Sequence, residues 1–151
     1  MGRRRRRIIT TSADETSFFG KKLARFLPAD VVICFFGDLG VGKTTLIKGF
    51  IAERSKVSEL DVTSPTFTYL QSYGSVHHFD LYRLKCEDDF LALGFDEYLS
   101  KGCCCIEWSE NIASLIPESA YRVTLTHLDE THRLIEVTHL THFFPSLSEV
   151  T

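Results

Sequence analysis

The fold of this chain is decided by the stretch Gly37-Asp38-Leu39-Gly40-Val41-Gly42-Lys43-Thr44. It matches the pattern of two glycines separated by four residues and followed by Lys and Thr, which is typical of a phosphate-binding loop. An apolar run, residues 31–36, precedes the stretch, and residues 43–54 follow with apolar side chains at helical spacing. Strand, glycine loop and helix in this order predict a site for a nucleoside triphosphate.

Two side chains of the loop have predicted roles in binding the triphosphate. Lys43 would reach between the β- and γ-phosphates as a point charge, and the Thr44 hydroxyl would take one coordination position on Mg²⁺. The helix that starts at Lys43 adds the positive end of its dipole. A glycine-rich turn that merely starts a helix is the alternative, and the flanking strand and helix count against it.

A magnesium-nucleotide site also needs a carboxylate at the end of a neighbouring strand. The sequence offers two candidates. Glu107 has the better form, because four apolar residues, 103–106, lead directly to it. Asp80 follows residues 77–79, in which two histidines interrupt the apolar run. For each candidate, an ordinary surface carboxylate at the end of a strand is the alternative.

Length and composition are those of a single globular domain of 151 residues. The net charge of −3 is unevenly distributed, because residues 3–7 are five consecutive arginines and the remainder has 12 basic against 20 acidic residues. An acidic body argues against a surface that binds DNA or other nucleic acid. We therefore expect residues 1–11 to form a flexible, solvated basic arm rather than an RNA contact.

Cysteine usage and hydropathy predict a cytoplasmic protein. Three of the five cysteines are adjacent, at 103–105, and this spacing fits neither a disulfide framework nor a zinc site. Small apolar cysteines suit a buried strand instead. We find no apolar run long enough to cross a membrane and no secretory signal after the arginines, so we expect no membrane partner.

Apolar periodicity predicts an alternation of helices and strands. Ser12 and Glu15 have capping-box spacing, which predicts a first helix over residues 13–27, and the run at 31–36 is typical of a buried parallel strand. Further elements expected are two strands within 64–73 and 76–84, a short helix over 86–93, a strand ending at Glu107, a terminal hairpin over 121–139 and a flexible tail over 140–151.

Five blocks of the sequence occur together in a characteristic order. They are residues 37–45, Ser64-Pro65-Thr66-Phe67-Thr68, His78-Phe79-Asp80-Leu81-Tyr82-Arg83-Leu84, Gly94-Phe95-Asp96-Glu97-Tyr98 and Ile106-Glu107-Trp108. In this combination the chain resembles the bacterial TsaE (YjeE) family over about residues 12 to 138. The resemblance implies an α/β fold of the P-loop NTPase type, a three-layer sandwich with a mixed, largely parallel central sheet and a C-terminal antiparallel hairpin, with residues 12–139 as the ATPase domain.

The resemblance also implies an activity. Members of this family are ATPases that act with the TsaB and TsaD proteins in N6-threonylcarbamoylation of the adenosine next to the anticodon, in tRNAs that read codons beginning with A. ATP and Mg²⁺ are the implied cofactors, and tRNA is met through the complex. We expect slow hydrolysis by the chain alone, since no arginine other than Arg83 is a candidate finger. A nucleotide-gated assembly module without essential turnover and a small-molecule kinase are the alternatives.

Residue roles follow from the motifs and the resemblance together. Lys43, Asp80 and Glu107 are the candidate catalytic residues, and Thr44, Glu107 and Asp80 are the candidate magnesium ligands. Residues 64–68 resemble a switch segment that senses the γ-phosphate, and Trp108 would either face TsaD or be a large buried aromatic. The expected nucleotide contacts are Gly37, Asp38, Leu39, Gly40, Val41, Gly42, Lys43, Thr44 and Thr45 in the loop, with Thr10, Thr11 and Arg133 beside the base.

Overall fold

The structure, a computed structural model, describes residues 4–38, 40–65 and 67–139. Its strands are β1 (Arg4–Thr10), β2 (Val31–Phe36), β3 (Leu70–Tyr73), β4 (Val76–Asp80), β5 (Cys103–Glu107), β6 (Tyr121–His127) and β7 (Arg133–His139). The α-helices are α1 (Ala13–Phe26), α2 (Lys43–Ser55) and α3 (Glu87–Ala92), and 3-10 segments span Glu59–Asp61, Phe95–Ser100 and Ser109–Leu115. The strands form one sheet in the order β1-β7-β6-β2-β5-β4-β3.

The centre of the sheet is parallel and its borders are antiparallel. Strands β6, β2, β5 and β4 run in one direction, whereas β7, β1 and β3 pair antiparallel with their neighbours. Central parallel strands are covered on both faces, which explains the unbroken apolar sequences of β2 and β5. The mixed, largely parallel sheet and the C-terminal antiparallel hairpin of β6 and β7 are confirmed.

Two hydrophobic clusters on opposite faces make the protein a three-layer sandwich. Successive side chains of a strand point to opposite faces. Ile33 and Phe35 of β2 accordingly pack in the cluster formed with α1 and α2, whereas Cys34 packs in the second cluster. Phe90 of α3 lies in that second cluster, with its ring centre 5.7 Å from that of Phe79 on β4. The layered α/β fold inferred from the sequence is therefore confirmed.

The cysteines of β5 are part of this core. Cys103, Cys104 and Cys105 are buried free thiols. Burial raises the pKa of the Cys104 thiol to about 12, which keeps it protonated at neutral pH. The three residues thus serve as small apolar side chains in a covered strand, as the sequence indicates.

The N-terminal arginines differ from the expected flexible arm. Strand β1 contains four of them and pairs with β7 along its whole length. Arg5 and Arg7 reach the Glu136 carboxylate at 3.5 and 3.1 Å, and Ile8 packs against the main core. The run of like charges predicts a solvated segment, whereas this strand forms by pairing with a partner more than a hundred residues away. Local sequence does not reveal such a partner. Residues 1–3 and the predicted tail over 140–151 lie outside the described residues.

The remaining predicted elements occur with one clear difference in length. The strands expected over 64–73 and 76–84 are confined to β3 and β4, and the described residues 64, 65 and 67–69 are not part of a strand. Pro65 lacks the N–H that a ladder needs, and Tyr69 has φ of 65°. The Asp80 N–H donates to the Tyr69 carbonyl, and this bond lies at the end of the pairing between β3 and β4.

Helices α1 and α2 touch backbone to backbone through two glycines. A Cβ on Gly20 of α1 would lie 2.3 Å from the carbonyl oxygen of Leu46. A Cβ on Gly49 of α2 would lie 2.2 Å from the carbonyl oxygen of Ser17. Glycine therefore sets the distance between these helices, and with it the position of the first turn of α2, where the glycine loop ends.

We predict that Gly49→Ala destabilises the protein, although alanine is the better helix former by about 1 kcal/mol. The added methyl group meets a main-chain oxygen that cannot move without displacing α1. Overpacking of this kind lowers the free energy of unfolding by about 1–3 kcal/mol, which urea denaturation would measure. Lys48→Ala, one position earlier in α2, is the control and should change it by less than about 0.5 kcal/mol. A Gly49→Ala protein more stable than wild type would contradict the close contact.

Candidate functional site

The glycine loop lies between β2 and α2, at the edge of the sheet where the parallel strands end. Gly42, with φ of 102°, precedes the first residue of α2 in a backbone conformation that favours glycine. A Cβ on Gly37 would lie only 2.7 Å from Cγ1 of Val41. The two glycines of the motif are thus required by the path of the loop itself. Leu39 lies outside the described residues.

A cavity of about 750 Å³ opens beside this loop. It gathers loop residues, both candidate carboxylates, one residue of the predicted switch segment and two aromatic side chains. The lining residues are Gly37, Asp38, Gly40, Gly42, Lys43, Thr44, Thr45, Ser64, Asp80, Tyr82, Glu107 and Trp108.

Strand register places the two carboxylates side by side. Asp80, the last residue of β4, pairs with Glu107, the last residue of β5, and Glu107 pairs in turn with Phe35 of β2. Paired residues of neighbouring strands point to the same face, here the face covered by α2. Both candidates named from the sequence therefore meet at the mouth of the loop.

Lys43 forms an ion pair with Glu107 inside the cavity. Its Nζ atom lies 3.6 Å from Oε1 of Glu107 and donates to the Gly37 carbonyl at 3.4 Å. The two side chains are only 14% and 8% exposed. Each charge compensates the other, because an unpaired charge buried to this extent would carry a large desolvation cost.

The second oxygen of Glu107 is held by His78. The distance from Nε2 of His78 to Oε2 of Glu107 is 2.8 Å, and both residues are buried. Our sequence analysis missed this residue and treated it as an interruption of a strand. The available signal was spacing, because residues two apart in a strand share a face and Asp80 follows His78 by two.

The environment of Asp80 favours its protonated form. Partial burial raises the pKa of the Asp80 carboxyl above its ordinary value, and the neighbouring Glu107 charge raises it further. A hydrogen bond of 3.1 Å from the Tyr82 N–H acts in the opposite direction. Two carboxylates so close together thus differ in character, one paired with a lysine and one with a raised pKa.

The residues expected beside the base do not line the cavity. Thr10 is 2% exposed, and its hydroxyl oxygen lies 2.7 Å from that of Thr16. The Thr11 hydroxyl donates to the Glu15 carboxylate at 2.8 Å. Both threonines secure the start of α1, where the Ser12 hydroxyl accepts from the Glu15 N–H.

Arg133 contacts the loop from the terminal hairpin. Its Nε donates to the Val41 carbonyl at 3.0 Å, and its Nη1 donates to the carbonyl oxygens of Asp129, Glu130 and His132 in the hairpin turn. This side chain was expected beside the base. The structure places it as a link between β7 and the backbone of the loop.

The predicted switch segment is represented by Ser64 in the cavity lining, while Thr66 lies outside the described residues. Phe67 is 76% exposed, and the Arg83 guanidinium lies 4.9 Å from the centre of its ring. The only candidate finger in the motifs is therefore stacked on an aromatic side chain and does not line the cavity.

Trp108 lies at the rim of the cavity and is 38% exposed, so it is not the deeply buried aromatic of our alternative interpretation. Its ring centre is 4.9 Å from that of Tyr82 and 5.5 Å from Nζ of Lys43. Two aromatic side chains thus border the site on its open side.

Comparison with known proteins identifies the family of this chain. The family model described as "Threonylcarbamoyl adenosine biosynthesis protein TsaE" matches residues 10–135. The TsaE protein of Rickettsia bellii is 40% identical over 138 residues, which cover 86% of this chain and 92% of that protein. The TsaE protein of Bacillus subtilis is 34% identical over 145 residues, which cover 93% and 89%. The crystal structure of Bacillus subtilis YdiB matches with a TM-score of 0.75 and 29% identity, covering 93% of this chain and 89% of YdiB.

Fold and site define an α/β protein with a P-loop-like fold, whose glycine loop lies at the carboxyl edge of the parallel strands. The chain belongs to the TsaE family, and its role lies in the biosynthesis of threonylcarbamoyladenosine in tRNA. Within the described ranges, no helix is long and apolar enough to cross a membrane.

We predict that Asp80→Asn stabilises the folded protein at neutral pH. Folding raises the pKa of the Asp80 carboxyl above its value in the unfolded chain, near 3.8. Such a group adds to the free energy of unfolding below pH 3.8, and this addition is lost as the pH rises through the pKa of the folded state. Asparagine removes that cost and keeps an oxygen for the Tyr82 N–H. Thermal unfolding from pH 3.5 to 8 should therefore show a melting temperature of Asp80→Asn that rises above that of wild type as the pH increases beyond 3.8.

The control for this experiment is Asp61→Asn, which removes one exposed carboxylate outside the cavity lining. It should shift the melting temperature little across the same range. An Asp80→Asn protein that is less stable than wild type at pH 7 would contradict the unfavourable environment assigned to this carboxylate.

Proposed function

We propose that this chain is a magnesium-dependent ATPase. It acts in the cytoplasm with TsaB and TsaD in N6-threonylcarbamoylation of the adenosine next to the anticodon, in tRNAs that read codons beginning with A. It meets tRNA through that complex. The single observation that carries the proposal is the convergence of Lys43, Thr44, Asp80 and Glu107 on one cavity beside the glycine loop.

The loop supports binding of the triphosphate. Backbone N–H groups at the start of α2 and the positive end of its dipole favour phosphate at this place. With a nucleotide bound, Lys43 would leave Oε1 of Glu107 for phosphate oxygens, and the carboxylate would then be available to a cation, so both charges would stay compensated. The ion pair of the cavity is thus preformed for a nucleotide bound with its metal.

The donor set suits Mg²⁺. This ion binds proteins through one or two carboxylates, keeps several waters and takes its other ligands from substrate phosphates. A hydroxyl from Thr44 and the Glu107 carboxylate would hold it, with Asp80 beside them. Within the described residues, no group of three or more His, Cys, Asp or Glu side chains is arranged for a metal. Bound in this way, the ion supplies charge stabilisation at the phosphates.

Asp80 is the proposed base of the reaction. Its raised pKa makes the ionised Asp80 carboxylate a better proton acceptor than an ordinary exposed carboxylate. We propose that it orients the attacking water and accepts its proton. Glu107, which is bonded to a lysine and a histidine, is less suited to that step and serves the metal.

The same geometry supports slow turnover by the chain alone. Among the described residues that line the cavity, Lys43 is the one cation and none is an arginine. Hydrolysis of nucleoside triphosphates gains much of its rate from an arginine finger, supplied by the enzyme or by a partner. We propose that the TsaB–TsaD pair completes the site across the rim formed by Tyr82 and Trp108.

A second candidate function is a nucleotide-gated assembly module in which turnover is incidental. The exposure of Phe67, three residues after the cavity-lining Ser64, favours it. In that case, ATP binding would rearrange this segment for a partner. The module demands a large difference in partner affinity between the ATP-bound and ADP-bound chain, without any need for hydrolysis.

Lys43→Ala should abolish ATP hydrolysis, because it removes the one cation of the described cavity lining that can reach the phosphates. Loss of a positioned donor to a transition-state charge costs about 10²–10³-fold in rate. Phosphate release assays on the purified chain would measure it. Lys48→Ala is the matched control, since this lysine lies in the same helix but does not line the cavity. Unchanged turnover in Lys43→Ala would refute the assigned site.

Addition of the TsaB–TsaD pair should stimulate ATP hydrolysis by the wild-type chain, because the pair supplies what the cavity lacks. The measurement is phosphate release at fixed ATP and Mg²⁺ with increasing amounts of the pair. Partner affinity with ATP, with ADP and without nucleotide is measured in parallel. Strong nucleotide-dependent binding without any stimulation would favour the assembly module instead.

A further inference from the structure

His78 occupies an unusual place in the sheet. It lies on β4 opposite Cys105 of β5, and Glu107 is two residues further along β5. A diagonal neighbour at this offset on the same face is within reach of a long side chain. His78 is 2% exposed and contacts the oxygen of Glu107 that does not face Lys43.

The hydrogen bond identifies the donor. An ionised carboxylate only accepts, so Nε2 of His78 carries the proton that is shared with Oε2 of Glu107. Nδ1 of His78 is buried and has no hydrogen-bond partner among the described residues. A buried polar atom left without a partner is an exception in proteins and calls for an explanation. Packing alone does not explain it, because an apolar residue would fill the same space without leaving a polar atom unpaired.

We propose that His78 is a positioning residue for Glu107. It holds Oε2 and thereby directs Oε1 toward Lys43 and the metal of the proposed nucleotide complex. The inference rests on the proposed function, since it assigns Glu107 to that metal. A carboxyl group rotates broadly about its last torsion unless a partner fixes it. Partners of metal-ligating carboxylates supply that restraint.

The neighbouring histidine provides an internal comparison. His77 points to the opposite face of β4, where its Nδ1 lies 2.8 Å from the Ser72 hydroxyl and its ring packs edge-on against Tyr98 at 4.6 Å. Burial lowers the pKa of His77. It is part of the same strand but lies on the face opposite Glu107, so a change there tests strand stability without removing a contact of Glu107.

The test is a magnesium titration of nucleotide binding, with a fluorescent ATP analogue as the probe. His78→Leu should raise the Mg²⁺ concentration at half-maximal binding by about 10–100-fold, the usual cost of removing such a partner. Binding of the analogue in EDTA should stay close to that of wild type. His78→Gln, whose amide nitrogen can occupy the position of Nε2, should restore most of the magnesium affinity. His77→Leu should leave the magnesium midpoint unchanged.

A second pair of variants separates positioning from folding. His78→Asn carries the same amide on a shorter side chain that cannot reach Glu107, so it should resemble His78→Leu whereas His78→Gln resembles wild type. A His78→Leu protein that unfolds leaves this Gln and Asn comparison intact. Equal midpoints for Gln and Asn, or a folded His78→Leu protein with the wild-type midpoint, would overturn the inference. Absence of magnesium-dependent binding in the wild-type chain would instead overturn the proposed function, and the inference with it.

Discussion

The ion pair between Lys43 and Glu107 is the interaction on which the rest of the site depends. At 3.6 Å, with both side chains largely buried, it unites the glycine loop and the end of β5. Desolvation of two charges is costly, so such a pair is retained where further hydrogen bonds satisfy its remaining atoms. The Gly37 carbonyl and His78 provide those bonds. In the function proposed above, Lys43 would leave this carboxylate for a phosphate.

The architecture serves this pair in two ways. Parallel register brings the last residues of β4 and β5 to the same edge as the loop, which places Asp80 beside Glu107. The backbone contact through Gly20 and Gly49 fixes the position of α2 against α1, and with it the position of Lys43, the first residue of α2. Arg133 adds a link from the hairpin to the loop carbonyl of Val41. Stability and site geometry are therefore coupled, because a change in the distance between the helices would also move the glycine loop.

Local patterns accounted for much of this structure. The loop, β2, α2 and the strand ending at Glu107 follow from rules that act over a few residues, such as apolar runs, glycine placement and capping. Contacts between distant segments were not accessible in the same way. The pairing of β1 with β7 depends on a partner at the other end of the chain, and the bond from His78 to Glu107 depends on the register of two strands. Thr10 was expected beside a nucleotide, whereas its buried hydroxyl contacts that of Thr16, six residues further along the chain.

We propose that Lys43 leaves Glu107 when a nucleotide and its metal bind. A crystal structure of the chain with Mg²⁺ and a non-hydrolysable ATP analogue tests it most directly. We expect Nζ of Lys43 on phosphate oxygens, Mg²⁺ between the Thr44 hydroxyl and Glu107, and the bond from His78 to Glu107 intact. Phosphates bound away from the loop would contradict the account. So would a metal remote from Glu107 in a structure in which Lys43 is still paired with Glu107.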